Sequence, residues 1–215
     1  MKILMFGPPG SGKGTYASRL SAKLGVPHIS TGDLVREEIK NQTEMGKRIN
    51  DYSSRGLLVP DNVICQLLQQ RISQPDCNRG FILDGFPRTI PQARELETIS
   101  TTDLVINLEV PDTIIIERLA SRLTCRACGE IYNERFLKPR IEGKCDKCNG
   151  QLYHREDDQP SVIQRRLDLY REQTQPLLEY YGGKNQVRNV SNKEPGVLPE
   201  KVVEEIIQII QMKRN

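Results

Sequence analysis

An α/β fold, a parallel sheet covered by helices on both faces, is predicted by three observations in the sequence. Short apolar runs alternate with stretches of helical periodicity along the whole chain. The first of these runs leads straight into a glycine- and proline-rich loop and then into a helix. No internal repeat, coiled-coil heptad or low-complexity tract points to another architecture.

The elements follow in order. Lys2 to Phe6 is a short apolar strand, Gly7 to Gly14 a loop, and Thr15 to Leu24 a helix with Ala17, Leu20 and Leu24 on one side. Thr31 to Pro60 reads as a small helical lobe, its apolar points thinned to Val35, Ile39, Met45 and Ile49. Pro60-Asp61 opens a helix through Val63, Ile64, Leu67 and Leu68. GFILD, from Gly80 to Asp84, is a strand ending in a carboxylate, and LVINLEV, from Leu104 to Val110, is another. A helix is expected from about Asp112 to Leu123. The section from about Arg122 to Asp158 has few large aliphatic residues and four cysteines. Val162 to Tyr181 reads as one long helix, Gln186 to Val190 as a short strand, and Val202 to Met212 as a closing amphipathic helix.

The chain has 215 residues, 37% hydrophobic and 27% charged, enough for one substantial core with small insertions. No apolar run approaches the roughly 18 residues of a membrane span. The opening run is too short for a signal peptide and reads as a strand, so the expected compartment is the cytoplasm. Net charge is +3, with no basic block of the kind that marks a nucleic-acid binder.

GPPGSGKGT, at Gly7 to Thr15, departs from G-x-x-x-x-G-K-[ST] at one place: Gly14 follows the lysine and Thr15 comes one later. The physics survives. Glycines let backbone N–H groups turn toward an anion, and the next helix aims its N-terminus at it. Lys13 neutralises charge near the β- and γ-phosphates, and the Thr15 hydroxyl is available to a metal or a phosphate. A nucleotide site follows, but not the reaction, because hydrolases, switches and kinases share such loops. Asp84 ends a strand where a parallel sheet meets its ligand, so its carboxylate can orient magnesium or its waters. Asp33, in STGD, is a second such carboxylate or a helix cap.

Guanidinium groups match phosphate oxygens bidentately. Arg36 and Arg88 sit at turns, Arg88 just beyond Asp84. Arg118 and Arg122, four apart, share a helix face leading into the cysteine section, and Arg155 and Arg166 lie beyond it. Basic groups on both sides of a small insertion suggest a lid that closes positive charge over transferring phosphates. Cys125, Cys128, Cys145 and Cys148 follow C-x2-C-x16-C-x2-C, the spacing of a closed tetrahedral zinc site. Iron and a pair of disulfides are the competitors. Cys65 and Cys77 read as ordinary thiols.

GPPGSGKGT, GFILDGFPRT, STGDLVR and the four-cysteine insertion together resemble adenylate kinases of the bacterial type with a long zinc-bearing lid, over essentially the whole chain. The resemblance implies a P-loop NTPase-type five-stranded parallel sheet. The core would comprise 1–29, 60–121 and 160–215, the AMP-binding lobe 30–59 and the lid 122–159. It implies reversible, magnesium-dependent transfer of the ATP γ-phosphoryl to AMP, giving two ADP, by a cytoplasmic monomer of nucleotide biosynthesis without nucleic-acid or membrane partners. Gly7, Pro8, Pro9, Gly10, Ser11, Gly12, Lys13, Gly14 and Thr15 would hold ATP phosphates, with Arg118 and Arg122. Pro195, Gly196 and Val197 would run past its adenine. Thr31, Gly32, Arg36, the backbone of Leu57, Leu58 and Val59, and Gly85, Phe86, Pro87, Arg88 and Gln92 would bind AMP, with Arg155 and Arg166. Lys13, Asp84, Arg88, Arg122, Arg155 and Arg166 would carry the transfer. Asp33 and Asp84 would arrange the magnesium waters, and Asp157 and Asp158 the lid hinge. Pro160 and Ser161 stand where that family commonly has acidic residues, and Gln164 where it often has a basic one.

The alternatives are a UMP/CMP kinase or a GTP:AMP phosphotransferase of the same fold. A non-catalytic ATP-binding regulatory module is the alternative of another class.

Overall fold

The computed structural model describes residues 1–55 and 57–214; Gly56 and Asn215, within the expected lobe and core segments, lie outside them. The first half runs β1 (Lys2–Phe6), α1 (Lys13–Leu24), β2 (His28–Ser30), α2 (Thr31–Lys40), α3 (Glu44–Ser54), α4 (Asp61–Ile72), β3 (Phe81–Asp84), α5 (Ile90–Ile99) and β4 (Leu104–Glu109). There follow α6 (Asp112–Ala120), β5 (Arg122–Cys125), β6 (Ile131–Asn133), β7 (Leu152–Tyr153), α7 (Pro160–Leu169), α8 (Leu177–Gly182), β8 (Val187–Ser191) and α9 (Pro199–Arg214).

Successive side chains of a strand point to opposite faces, and β1 shows what that requires of a central strand. Ile3 and Met5 pack with Leu20, Val203 and Ile206 of α1 and α9. Leu4 and Phe6 pack on the other face with Leu68, Leu96 and Tyr181. Both faces are therefore dry, and every β1 position from Ile3 onward is apolar. The five parallel strands lie in the order β2–β3–β1–β4–β8.

Register then decides what meets at the top of the sheet. Met5 is paired with Asp84 and Ser30 with Asp84, so the loops after β1, β3 and β2 emerge side by side. Between β1 and α1, Gly12 takes φ 97 and a Cβ there would stand 2.7 Å from the Tyr16 ring, so only glycine fits. The helix ends where Gly25 turns left-handed and donates its N–H to Ser21 O.

Three expectations change. The helix starting at Asp112 stops at Ala120, where Ser121 Oγ bonds back to Glu117 O at 2.6 Å, and Arg122 opens a strand. Arg118 and Arg122 therefore do not share a helix face. The cysteine section is a three-stranded antiparallel sheet, β6–β5–β7, with a small core of Cys125, Tyr132, Cys145 and Leu152. The expected helix from Val162 to Tyr181 is broken: α7 widens over Tyr170–Thr174, where Gln175 N–H reaches back to Tyr170 O at 2.8 Å, and α8 starts after Pro176. Pro176 has no N–H with which to continue α7. Pro160 occupies the first turn of α7, where proline costs nothing, and Gln164 bonds Asp168.

Candidate active site

A cavity of about 1160 Å³ lies between the sheet's C-terminal edge, the α2–α3 lobe and the β5–β7 insertion. The insertion leans over the glycine loop: a Cβ on Gly14 would stand 3.1 Å from Asp84 Oδ2 and 3.4 Å from Ile131 Cδ1. Among the described residues no helix is long and apolar enough to cross a membrane.

Lys13 sits at the start of α1, and its Nζ donates to Gly7 O at 2.7 Å and Pro8 O at 2.8 Å, curling the loop around the ammonium. Burial lowers its pKa to about 8, with Asp84 opposing and Arg88, Arg166 and Arg122 adding to the fall. Gly7, Pro9, Gly10, Gly12, Gly14 and Thr15 share the cavity wall, whereas Pro8 and Ser11 do not. Ser11 is fully buried, and its hydroxyl finds no protein partner. Asp84 faces the lysine from β3. Burial disfavours its charge, but neighbouring His28, Lys13 and Arg88 outweigh that and hold its carboxyl below the ordinary range.

Arg88 Nε donates to Gly85 O at 2.7 Å, and its own carbonyl accepts from Thr174 Oγ1 at 2.9 Å. Burial, then Arg166, depresses its pKa to about 10. Arg122 grips Asp158 with two bonds of 2.7 and 2.5 Å, and Arg166 reaches Asp157 O and Asp158 Oδ1. Arg155 donates to Thr124 Oγ1 at 2.8 Å, and burial followed by Arg122 and Arg36 brings its pKa to about 9. Thus Lys13, Arg88, Arg122, Arg155 and Arg166 converge on a region where Asp84, Asp157 and Asp158 are the nearest opposing charges. Positive charge in surplus and depressed pKa values are the electrostatic form of a site awaiting phosphates.

On one side of this cluster Thr31 donates to Gly85 O at 2.8 Å, and Arg36 bonds Asp33 at 2.5 Å. Gly32, Leu57, Leu58, Val59, Pro87 and Gln92 line the same end, and Phe86 is buried behind it. On the other side Arg118 holds the carbonyls of Glu194 and Pro195, each at 3.0 Å. Pro195 and Val197 line the cavity and Gly196 between them does not.

The four cysteine sulfurs of the insertion lie within 4.8 Å of one another, at 3.5 Å for Cys125 and Cys148 and 3.6 Å for Cys128 and Cys145. Sulfurs around a tetrahedral ion with ~2.3 Å bonds stand ~3.8 Å apart, so four thiols in this arrangement fit zinc. All six cysteines are free thiols, which sets aside the disulfide reading.

The sequence reading missed several supports. Tyr16 stacks under Gly12 and its hydroxyl lies 2.7 Å from the Asn192 carboxamide, steadying the strap that Arg118 holds. Thr124, Thr174 and Asp61 position Arg155, Arg88 and Gln92. No motif marks them, because each acts through one hydrogen bond set by the fold.

A lysine-bearing glycine loop at the C-terminal edge of a parallel sheet, facing convergent arginines, defines the class: a P-loop protein that binds nucleotide phosphates. Residues 5–186 match the family model described as adenylate kinase. The chain is 49% identical over 189 residues to an adenylate kinase of Caldicellulosiruptor saccharolyticus, covering 86% of this chain and 88% of that protein. It is 44% identical over 216 residues to one of Thermosipho melanesiensis, covering 98% and 100%, and 48% identical over 199 residues to one of Methanocella arvoryzae, covering 90% and 92%. The chain belongs to the adenylate kinase family, whose members are nucleoside-monophosphate kinases.

Proposed function

We propose that this protein transfers the γ-phosphoryl of ATP to AMP, reversibly, giving two ADP. The observation that carries the reading is the convergence of Lys13, the buried Arg155 and the partly buried Arg88, Arg122 and Arg166 on one cavity of about 1160 Å³. A phosphate oxygen of AMP attacks the γ-phosphorus in line, forming one P–O bond as the bond to the β–γ bridging oxygen breaks. That oxygen is already a competent nucleophile, so no side chain need act as base, and catalysis is positioning and charge stabilisation.

Lys13 and the loop Gly7 to Thr15 hold the ATP phosphates, and Pro195 to Val197 pass its adenine. Arg36 and Arg88 grip the AMP phosphate, and Thr31 and Gln92 face its base. Arg122, Arg155 and Arg166 take up charge on the transferring group, and Asp157 and Asp158 hold two of these arginines and form the hinge. The core is 1–29, 60–121 and 160–215, the acceptor lobe 30–59 and the lid 122–159. Magnesium arrives with ATP and lends charge neutralisation when bound. Asp84, ionised and beside Gly14, offers the hard oxygen donor such an ion's water shell requires. Asp33 would contribute to the same shell. The four cysteines hold a structural zinc that keeps the lid folded. The protein works as a cytoplasmic monomer.

An acceptor matrix tests the reading. Purified protein with Mg·ATP is offered AMP, UMP, CMP and GMP in turn. ADP forming at twice the rate of AMP loss, with little response to the others, is expected; preference for another monophosphate would move the acceptor, and no transfer to any would leave only a binding module.

A further inference from the structure

Gln92 is nearly fully buried, 2% exposed, and lines the cavity. An amide of this kind can face either way, and which way it faces decides which base edge it pairs with. The Gln92 amide is fixed at both ends. The Arg88 main-chain N–H donates to Oε1 at 2.7 Å, and Nε2 donates to Asp61 Oδ1 at 2.6 Å. Asp61 is fixed in turn, because Thr89 Oγ1 donates to its other oxygen at 3.0 Å, while the same hydroxyl caps α5 by accepting from Gln92 N at 3.3 Å.

From this arrangement we infer that Asp61 is a specificity-determining positioning residue that locks the Gln92 amide in the orientation reading a 6-amino purine and refusing a 6-oxo purine. The inference rests on the reading of the acceptor as AMP. A carboxamide has two N–H hydrogens and two oxygen lone pairs. With one of each taken by Asp61 and Arg88, one N–H and one lone pair remain for the base. A 6-amino purine offers an acceptor at N1 and a donor at its amino group, which matches that remainder. A 6-oxo purine offers a donor at N1 and an acceptor at O6, so it would need the amide turned over. Turning it over would set Gln92 Oε1 against the Asp61 carboxylate and Nε2 against the Arg88 N–H. Both juxtapositions pair like with like, in a site where unpaired polar groups are costly. Asp61 touches no base itself; it acts through Gln92.

The test compares AMP with inosine monophosphate, which differs only at the N1 and C6 positions the amide would read. kcat/KM is measured with Mg·ATP for the wild type, Asp61→Asn and Asp61→Leu. An asparagine can offer its amide nitrogen to a turned-over Gln92, removing one of the two clashes. Asp61→Asn is therefore expected to narrow the AMP to inosine monophosphate ratio by about tenfold or more, whereas Asp61→Leu loses AMP turnover without gaining the 6-oxo substrate. A ratio unchanged in Asp61→Asn, with both rates lowered together, would mean a merely structural carboxylate and overturn the inference. The wild type gives an arm that needs no variant to fold. Purine riboside monophosphate keeps the N1 acceptor and lacks any 6-substituent, so it should outperform inosine monophosphate; the reverse order would contradict a fixed amide. Wild-type turnover of AMP with an unchanged variant ratio rejects the lock alone, while absence of AMP turnover rejects both the acceptor reading and the lock.

Discussion

Lys13 illustrates how a single residue is held against its own stability. Its folded pKa of about 8 lies below the ordinary 10.5, with burial the main cause. Between those values the unfolded chain binds more protons than the folded one, so unliganded stability rises with pH there and is lowest below pH 8. Raising the pH from 7 to 10 should gain the wild type about 2 to 3 kcal/mol relative to Lys13→Met in denaturant titrations. An identical pH trend in both proteins would show that Lys13 titrates as an exposed amine. The same Lys13→Met change, and Arg88→Ala, should cut turnover by about 100-fold or more while circular dichroism stays native. Asp158 is the counterpart. Its side chain, 3% exposed, accepts from both Arg122 and Arg166. Asp158→Asn leaves two partly buried guanidinium groups undercompensated and should cost about 3 kcal/mol in urea unfolding, part of it recovered when inorganic phosphate is added. These pairings were not visible in the sequence, where Asp157 and Asp158 entered only through resemblance. A carboxylate reveals its partner when the chain has folded, not when it is read.

The insertion carrying β5 to β7 behaves differently from the core. Its apolar interior is little more than Leu123, Tyr132 and Leu152 around the buried sulfurs of Cys125 and Cys145. Burying each such side chain supplies roughly 1.5–3 kcal/mol, too little to order so long a segment alone. The four thiols, gathered within 4.8 Å of one another, would make up the difference on the proposed ion. Cys128→Ser, at an exposed ligand outside that small core, should therefore lower the thermal midpoint and release metal, with the core sheet intact by far-ultraviolet circular dichroism. An unchanged midpoint would separate the cysteines from folding. The spacing of these cysteines made the four-thiol cluster legible, while the sheet that carries it was not, because strands of two to four residues give no periodicity to read. β2 is equally short, and its three residues HIS carry a single buried side chain. Long apolar runs such as those of β1, β3 and β4 announced themselves, since burial on both faces demands an unbroken hydrophobic sequence. The break between α7 and α8 was masked because Ile163, Leu167, Tyr170, Leu177 and Tyr181 keep helical spacing across Pro176.

At the scale of the whole molecule, register assembles the site. Pairing Met5 and Ser30 with Asp84 brings the glycine loop, Gly85 and Thr31 to one edge. The insertion then closes the space from above, and Arg118 ties the strap from Asn192 to Val197 alongside. The cavity has one cationic centre, and the chemistry proposed for it is symmetrical: the products are two copies of one nucleotide. The most direct measurement starts from that symmetry. Protein, magnesium and ADP alone are followed by phosphorus NMR. ATP and AMP should appear in equal amounts, at one molecule of each for every two ADP consumed, and Lys13→Met should remain silent. Persistence of ADP, or its conversion to AMP and inorganic phosphate without ATP, would contradict phosphoryl transfer between two nucleotides in one cavity.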